Sequence, residues 1–171
     1  IPSCDTDRVL IDGDSFTLSG RTWEVLETPG HCPGHICLSS DVGVVSGDLA
    51  VVVGTILVPS SDGDMDEYLA SLERILDLEP PMLLPAHGPL SPVPEKLLGR
   101  YLSHRRARHA RVAEAVGNGL ATVEDIADFA YADTPDAHPI LKLDQTMSHL
   151  LAHERAGTVE NVDQRWQQTT R

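Results

Sequence analysis

The chain has 171 residues, 41% hydrophobic but only 4% aromatic, so it can bury one aliphatic core, with or without a small appendage. Its net charge of −13 argues against the whole surface binding nucleic acid or an anionic membrane, and no apolar run is long enough to span a bilayer. Three cysteines, Cys4, Cys32 and Cys37, are too few for a disulfide scaffold and predict a reducing, cytoplasmic setting.

The chain opens at Ile1 rather than Met and shows no signal peptide, which predicts a processed or trimmed chain or a fragment. Residues 8–28 read as β structure. Arg8 to Ile11 precedes the turn Asp12-Gly13-Asp14, and Phe16–Leu18 and Thr22–Leu26 flank the hairpin signal Ser19-Gly20-Arg21. His35–Ser39 and Val42–Val45 predict two further short strands. Leu49–Val58 is apolar and β-branched, broken by Gly54. Asp64 is a candidate N-cap with Glu67 three residues on; it opens a helix to Leu78 whose stripe is Met65, Leu69, Leu72, Ile75 and Leu76. Pro80-Pro81 stops it, and Met82–Leu84 predicts a buried strand. Composition changes at Ser91-Pro92-Val93-Pro94, which predicts a boundary between regions 1–94 and 95–171. Three helices follow, Glu95–Val116, Thr122–Tyr131 and His138–Ala156, the last with the stripe Leu143, Met147, Leu150 and Leu151 and a Gly157 cap. Thr158–Val162 and Arg165–Gln167 then predict a hairpin around Asp163-Gln164. Strands alternating with a helix make the first region α/β (α+β). Three helices and a hairpin are the order of a winged-helix module.

Three polar residues stand at the ends of apolar strands. His31 lies in Thr28-Pro29-Gly30-His31-Cys32-Pro33-Gly34-His35, Asp48 ends Val45-Ser46-Gly47-Asp48, and His87 ends Leu83-Leu84-Pro85-Ala86-His87. Imidazole nitrogen and carboxylate oxygen suit zinc and similar ions, and one carboxylate can bridge two of them. Taken singly, each fits a turn or loop role better; the order and context of all three point to metal. His35 reads as an orienting or packing residue, and Cys32 as a small turn filler. His104 and His109 sit among Arg100, Arg105, Arg106, Arg108 and Arg111, which reads first as a solvated face and second as a phosphate-binding one. His138, His149 and His153 read as structural. There is no Ser/His/Asp order, phosphate-cradling loop or Cys-x-x-Cys pair.

The Thr28–His35 turn, Ser46-Gly47-Asp48 and Leu84–Pro89 resemble the later metal-binding motifs of the metallo-β-lactamase superfamily. Gly54-Thr55, Gly63–Leu72 and Tyr101–Arg105 resemble the branch that carries a C-terminal winged helix, which includes lactamase-like endoribonucleases. The resemblance implies that His31 binds a first metal, Asp48 bridges as the catalytic carboxylate, and His87 binds a second. It implies zinc, two ions in an intact parent. The superfamily's earlier His-x-His-x-Asp-His motif is absent from these residues. The chain thus resembles the second half of an αββα sandwich followed by a winged helix, and the resemblance implies a missing N-terminal half or a homo-oligomeric partner. The expected parent activity is hydrolysis of an ester, thioester or phosphodiester by a metal-bound hydroxide, with this piece alone inactive and its metal partial or absent. The substrate is then RNA or, as in glyoxalase-II-like relatives, a small ester or thioester. A non-catalytic nucleic-acid- or protein-binding module is the rival from another class.

Overall fold

A computed structural model describes residues 8–169; Cys4 lies outside them. β1 (Ser15–Leu18), β2 (Arg21–Glu27), β3 (Ile36–Ser40) and β4 (Gly43–Gly47) form an antiparallel meander. The chain then crosses through α1 (Met65–Asp77) and returns as β5 (Leu83–Pro85), parallel to β4, so the sheet order is β1-β2-β3-β4-β5. The mixed α/β architecture is the predicted one. Its first hairpin turns on Ser19 and Gly20, both at positive φ (54° and 74°), the geometry that matches strand twist.

Side chains alternate across the sheet. One face carries Leu26, Cys37, Val44 and Leu83, which are buried in the main core with Tyr68, Leu72 and Ile75 of α1. The other face carries Leu18, Ile36 and Val45, exposed at 59%, 37% and 36%, with half-buried Trp23 and Leu38 and fully buried Val25 among them.

Two stretches depart from expectation. Arg8–Ile11 is not a strand. The carboxylate of Asp12 takes over the tethering there, accepting from the Glu27 amide at 2.7 Å and from the Arg74 guanidinium at 2.7 Å. Leu49–Val58, with the composition of a strand, forms none, although Leu49, Ala50, Val51, Ile56 and Val58 are buried. Buried backbone without a ladder must find other partners. Many of them are side chains of two later helices, α2 (Pro94–Gly117) and α4 (Pro139–Arg155). The Val51 amide donates to the Tyr101 hydroxyl (3.1 Å), which donates back to the Val51 carbonyl (3.2 Å). Arg100 donates to the Val52 carbonyl (3.2 Å), and Arg105 to the Ile56 carbonyl. Gln145 brackets Val58, accepting from its amide (3.4 Å) and donating to its carbonyl (2.6 Å). Asp144 accepts from the Ser60 amide and hydroxyl (3.2 and 2.6 Å).

The α1 cap is as predicted, Asp64 accepting from the amides of Asp66 and Glu67 at 2.9 and 3.1 Å. Its buried face includes Tyr68, absent from the expected stripe, whose hydroxyl donates to the Leu49 carbonyl at 2.7 Å. A second buried cluster joins α2, α3 (Val123–Ala130) and α4 to the hairpin β6 (Val159–Val162) and β7 (Arg165–Gln168), around Val112, Ile126, Leu150 and Trp166. The start of α2 (Leu97, Leu98, Tyr101, Leu102) belongs to the first cluster. The expected aliphatic stripe of α4 enters this second cluster, with Leu150 buried and Met147 and Leu151 packed against it, while another buried face of the helix is polar (Gln145, Thr146, Ser148, His149, His153) and meets the arginines and histidine of α2.

The arginine-rich helix is a solvated face only in part, with Arg100, His104 and Arg106 exposed. Arg105 and Arg108 are each 3% exposed. Arg108 donates to the Ala130 carbonyl and to Asp133 (2.9 Å), with its guanidinium 3.9 Å from the centre of the Tyr131 ring. Arg111 pairs with Asp133 at 3.0 Å, and Arg106 with Glu73. No helix among the described residues is long and apolar enough to cross a membrane.

Candidate metal centre

His31, Asp48 and His87 leave the sheet at the ends of β2, β4 and β5, and the fold brings all three together. The Pro29–Gly34 loop that carries His31 is pressed onto α1. The Gly30 carbonyl accepts from the Asp64 amide (2.9 Å), and Ser71 donates to the Pro29 carbonyl (2.7 Å). A Cβ on Gly30 would lie 2.3 Å from the Tyr68 backbone, so only glycine permits this approach. The His31 Nδ1 donates to the Leu57 carbonyl at 2.7 Å, and Nε2 faces Asp48.

Asp48 is held from beneath by His35. The Asp48 amide donates to His35 Nε2 at 3.0 Å. That nitrogen therefore accepts, so Nδ1 carries the proton and donates to the Thr28 carbonyl at 3.0 Å. Burial holds the pKa of His35 below that of free imidazole, which keeps this tautomer neutral. Thr28 also donates to the Cys37 sulfur at 3.2 Å, and burial pushes the Cys37 thiol up to about 11. Cys32 and Cys37 are both free. His35 thus stands behind the turn as an orienting residue. His87 arrives on the loop after β5, which the Ala86 amide ties to the Gly47 carbonyl at 2.9 Å; its side chain is 77% exposed.

Asp48 receives one imidazole at each oxygen. His31 Nε2 lies 3.9 Å from Oδ2 and His87 Nε2 lies 3.6 Å from Oδ1. Oδ1 is buried with no hydrogen-bond partner among the described residues. A tetrahedral ion with ligands at 2.0–2.2 Å separates them by about 3.4 Å, so both gaps suit a shared ion rather than a direct hydrogen bond. The donor types would suit a zinc-like ion, for which His31, Asp48 and His87 would supply part of the ligands. They do not complete a shell: no group of three or more His, Cys, Asp or Glu able to hold an ion occurs among the described residues.

The architecture is a mixed α/β sheet with imidazole and carboxylate groups clustered at its strand ends, and comparison with known proteins gives its family. The profile of the metallo-β-lactamase superfamily matches residues 2–87, and the chain belongs to that superfamily. A β-lactamase-like protein 2 homolog of Drosophila melanogaster is 30% identical over 142 residues, covering 79% of this chain and 47% of that protein. An atrochrysone carboxyl ACP thioesterase of Claviceps purpurea is 29% identical over 136 residues, covering 74% and 42%. In structure, a metallo-β-lactamase family protein from Thermus thermophilus shares the fold with a TM-score of 0.76 at 19% identity, covering 93% of this chain and 53% of that one. A β-lactamase domain protein from Burkholderia ambifaria aligns with a TM-score of 0.75 at 24% identity, covering 94% and 52%. The chain spans about half the length of the relatives it matches.

Proposed function

We propose that the whole protein is a metal-dependent hydrolase of esters or thioesters, with two zinc ions held in part by His31, Asp48 and His87. The observation that carries this reading is the convergence of two imidazole Nε2 atoms on the two oxygens of one carboxylate whose Oδ1 has no other partner. Members of the superfamily are typically hydrolases, and thioesterase-named proteins are among the relatives. When bound, such ions lower the pKa of water toward neutrality and meet the negative charge that develops on the attacked carbonyl oxygen. The chain's own part is to hold three donors in register. His31 is fixed by the Leu57 carbonyl, Asp48 by His35, and His87 by the tie between Ala86 and Gly47.

A thioester is favoured over RNA on two grounds. The net charge of −13 repels a polyanion, and of the arginines of α2 Arg105 and Arg108 are buried and bonded inside the protein while Arg106 and Arg111 are paired with Glu73 and Asp133. We read residues 95–171 as a winged-helix module packed on the hydrolase region 1–94 rather than as a nucleic-acid reader. Lys142 and Arg155 of α4 are tied to Asp128 and to Asp64 and Asp66. The remaining ligands come from a further stretch of the protein or from a partner, and the reducing, cytoplasmic setting fits the free thiols.

The test is a zinc-reconstituted preparation of the whole protein, assayed on an acyl-CoA thioester and on single-stranded RNA. Thioester turnover should disappear on chelation and return with zinc, and Asp48→Asn should lower kcat/KM by more than about 100-fold, the upper end for outer-shell partners. Wild-type activity and metal content in Asp48→Asn would overturn the assignment; faster cleavage of RNA would move the substrate to phosphodiesters.

A further inference from the structure

The Leu57 carbonyl that accepts from His31 lies in the segment without a strand ladder, so something other than a sheet must fix its direction. Its two neighbours are clamped by one buried pair. Arg105 of α2 donates to the Ile56 carbonyl on one side. Gln145 of α4 accepts from the Val58 amide (3.4 Å) and donates to the Val58 carbonyl (2.6 Å) on the other. Arg105 also donates to the Gln145 carboxamide oxygen at 2.6 Å, so the two clamps are one unit. This bond fixes the amide orientation of Gln145: its oxygen faces the guanidinium and the Val58 amide, and its NH2 faces the Val58 carbonyl. Arg105 and Gln145 are 3% and 7% exposed, so water does not compete.

We propose that Arg105 and Gln145 are positioning residues for the metal ligand His31, acting through the peptide of Leu57. The pair holds residues 56 and 58 from both sides, and the carbonyl between them has one direction in which to point. That direction selects the Nδ1–H tautomer of His31 and aims Nε2 at Asp48. Two helices far along the sequence thus set the geometry of a ligand on the opening sheet. The idea rests on His31 being a metal ligand, and the experiment separates the two.

Four variants of the whole protein are compared: His31→Ala, Gln145→Leu, Arg105→Lys and, as a control, Tyr101→Phe. Tyr101 anchors the same segment at Val51 but does not flank Leu57. Two readouts are taken. One is apparent zinc affinity by competition with a chromophoric chelator. The other is the tautomer of His31 in the metal-free protein, from imidazole 15N shifts at one fixed alkaline pH. Gln145→Leu and Arg105→Lys should weaken zinc about 10-fold or more and mix the His31 tautomers, while Tyr101→Phe should leave the Nδ1–H form dominant and change affinity less than about 2-fold. If Gln145→Leu does not fold, Arg105→Lys, which keeps the charge, carries the comparison. Equal effects of Tyr101→Phe and Arg105→Lys at matched thermal stability, or an unchanged tautomer, overturn the positioning role. Undiminished zinc affinity in His31→Ala overturns the ligand reading instead, and the tautomer result then stands by itself.

Discussion

Gly47 sits where two demands meet. Its φ is +51°, a region that costs a residue with a Cβ about 1–2 kcal/mol, and a Cβ there would lie 2.6 Å from His35 Nε2. The ring cannot retreat without dropping the Asp48 amide. Gly47→Ala should therefore destabilise the protein by about 1–3 kcal/mol in urea unfolding and weaken metal binding with it. An Ala variant with both properties intact would show that the turn relaxes freely. The Gly/Pro-marked loops after apolar strands made the places of His31, Asp48 and His87 legible, but only the order and context of the three together pointed to metal. Gln145 was not legible. It is a glutamine in an amphipathic helix, and its partner Val58 is 87 residues away.

At the scale of elements, α2 and α4 meet through imidazoles. The His109 and His153 rings stack with centroids 3.6 Å apart, and His109 Nδ1 lies 3.3 Å from His149 Nδ1. His153 Nε2 donates to the His109 carbonyl at 2.9 Å. Arg105 and Arg108 lie close enough to oppose protonation of His149, while Asp66 of α1 slightly favours that of His109. Burial pulls His109 down to about 4 and His149 well below its ordinary value. In the unfolded chain these groups take up protons near pH 6.5. Below that pH the unfolded state binds more protons than the folded state, so stability falls as the pH drops from about 7 toward 4, and this contribution is flat above about 7.5. Thermal melts across pH 4–8 should show the decline, and His109→Gln should make it shallower; an unchanged slope would place the acid sensitivity elsewhere. The helices themselves were readable from caps and stops: Asp64, Thr122 and Gly157 each act where their residue type predicts. The burial of Arg105 and Arg108 was not, because a run of arginines on one helix reads alike whether its carbonyl and carboxylate partners are solvent or other segments of the chain.

For the molecule as a whole, the notable surface is the second face of the sheet. Leu18, Ile36 and Val45 are open there, whereas single exposed apolar residues elsewhere call for no explanation. Such a face fits another sheet laid against it, as in a layered sandwich. The 171-residue chain alone should therefore self-associate in sedimentation velocity at micromolar concentration, and Val45→Asp should return it toward monomer. A monomer at every concentration would mean that the face tolerates water as it is. The alternation of apolar residues in β2 to β4 made the strands predictable but could not say which face would be covered, since both carry hydrophobic side chains.

The pinning of Val51 to Ser60 by distant side chains also sets terms for anyone who would rebuild the protein. In a chimera with exchanged C-terminal helices, Tyr101, Arg105, Asp144 and Gln145 would have to travel with the graft. A donor of equal shape without them would leave a stretch of dry backbone with nothing to bond, and the loss would surface at His31, on a segment the exchange never touched.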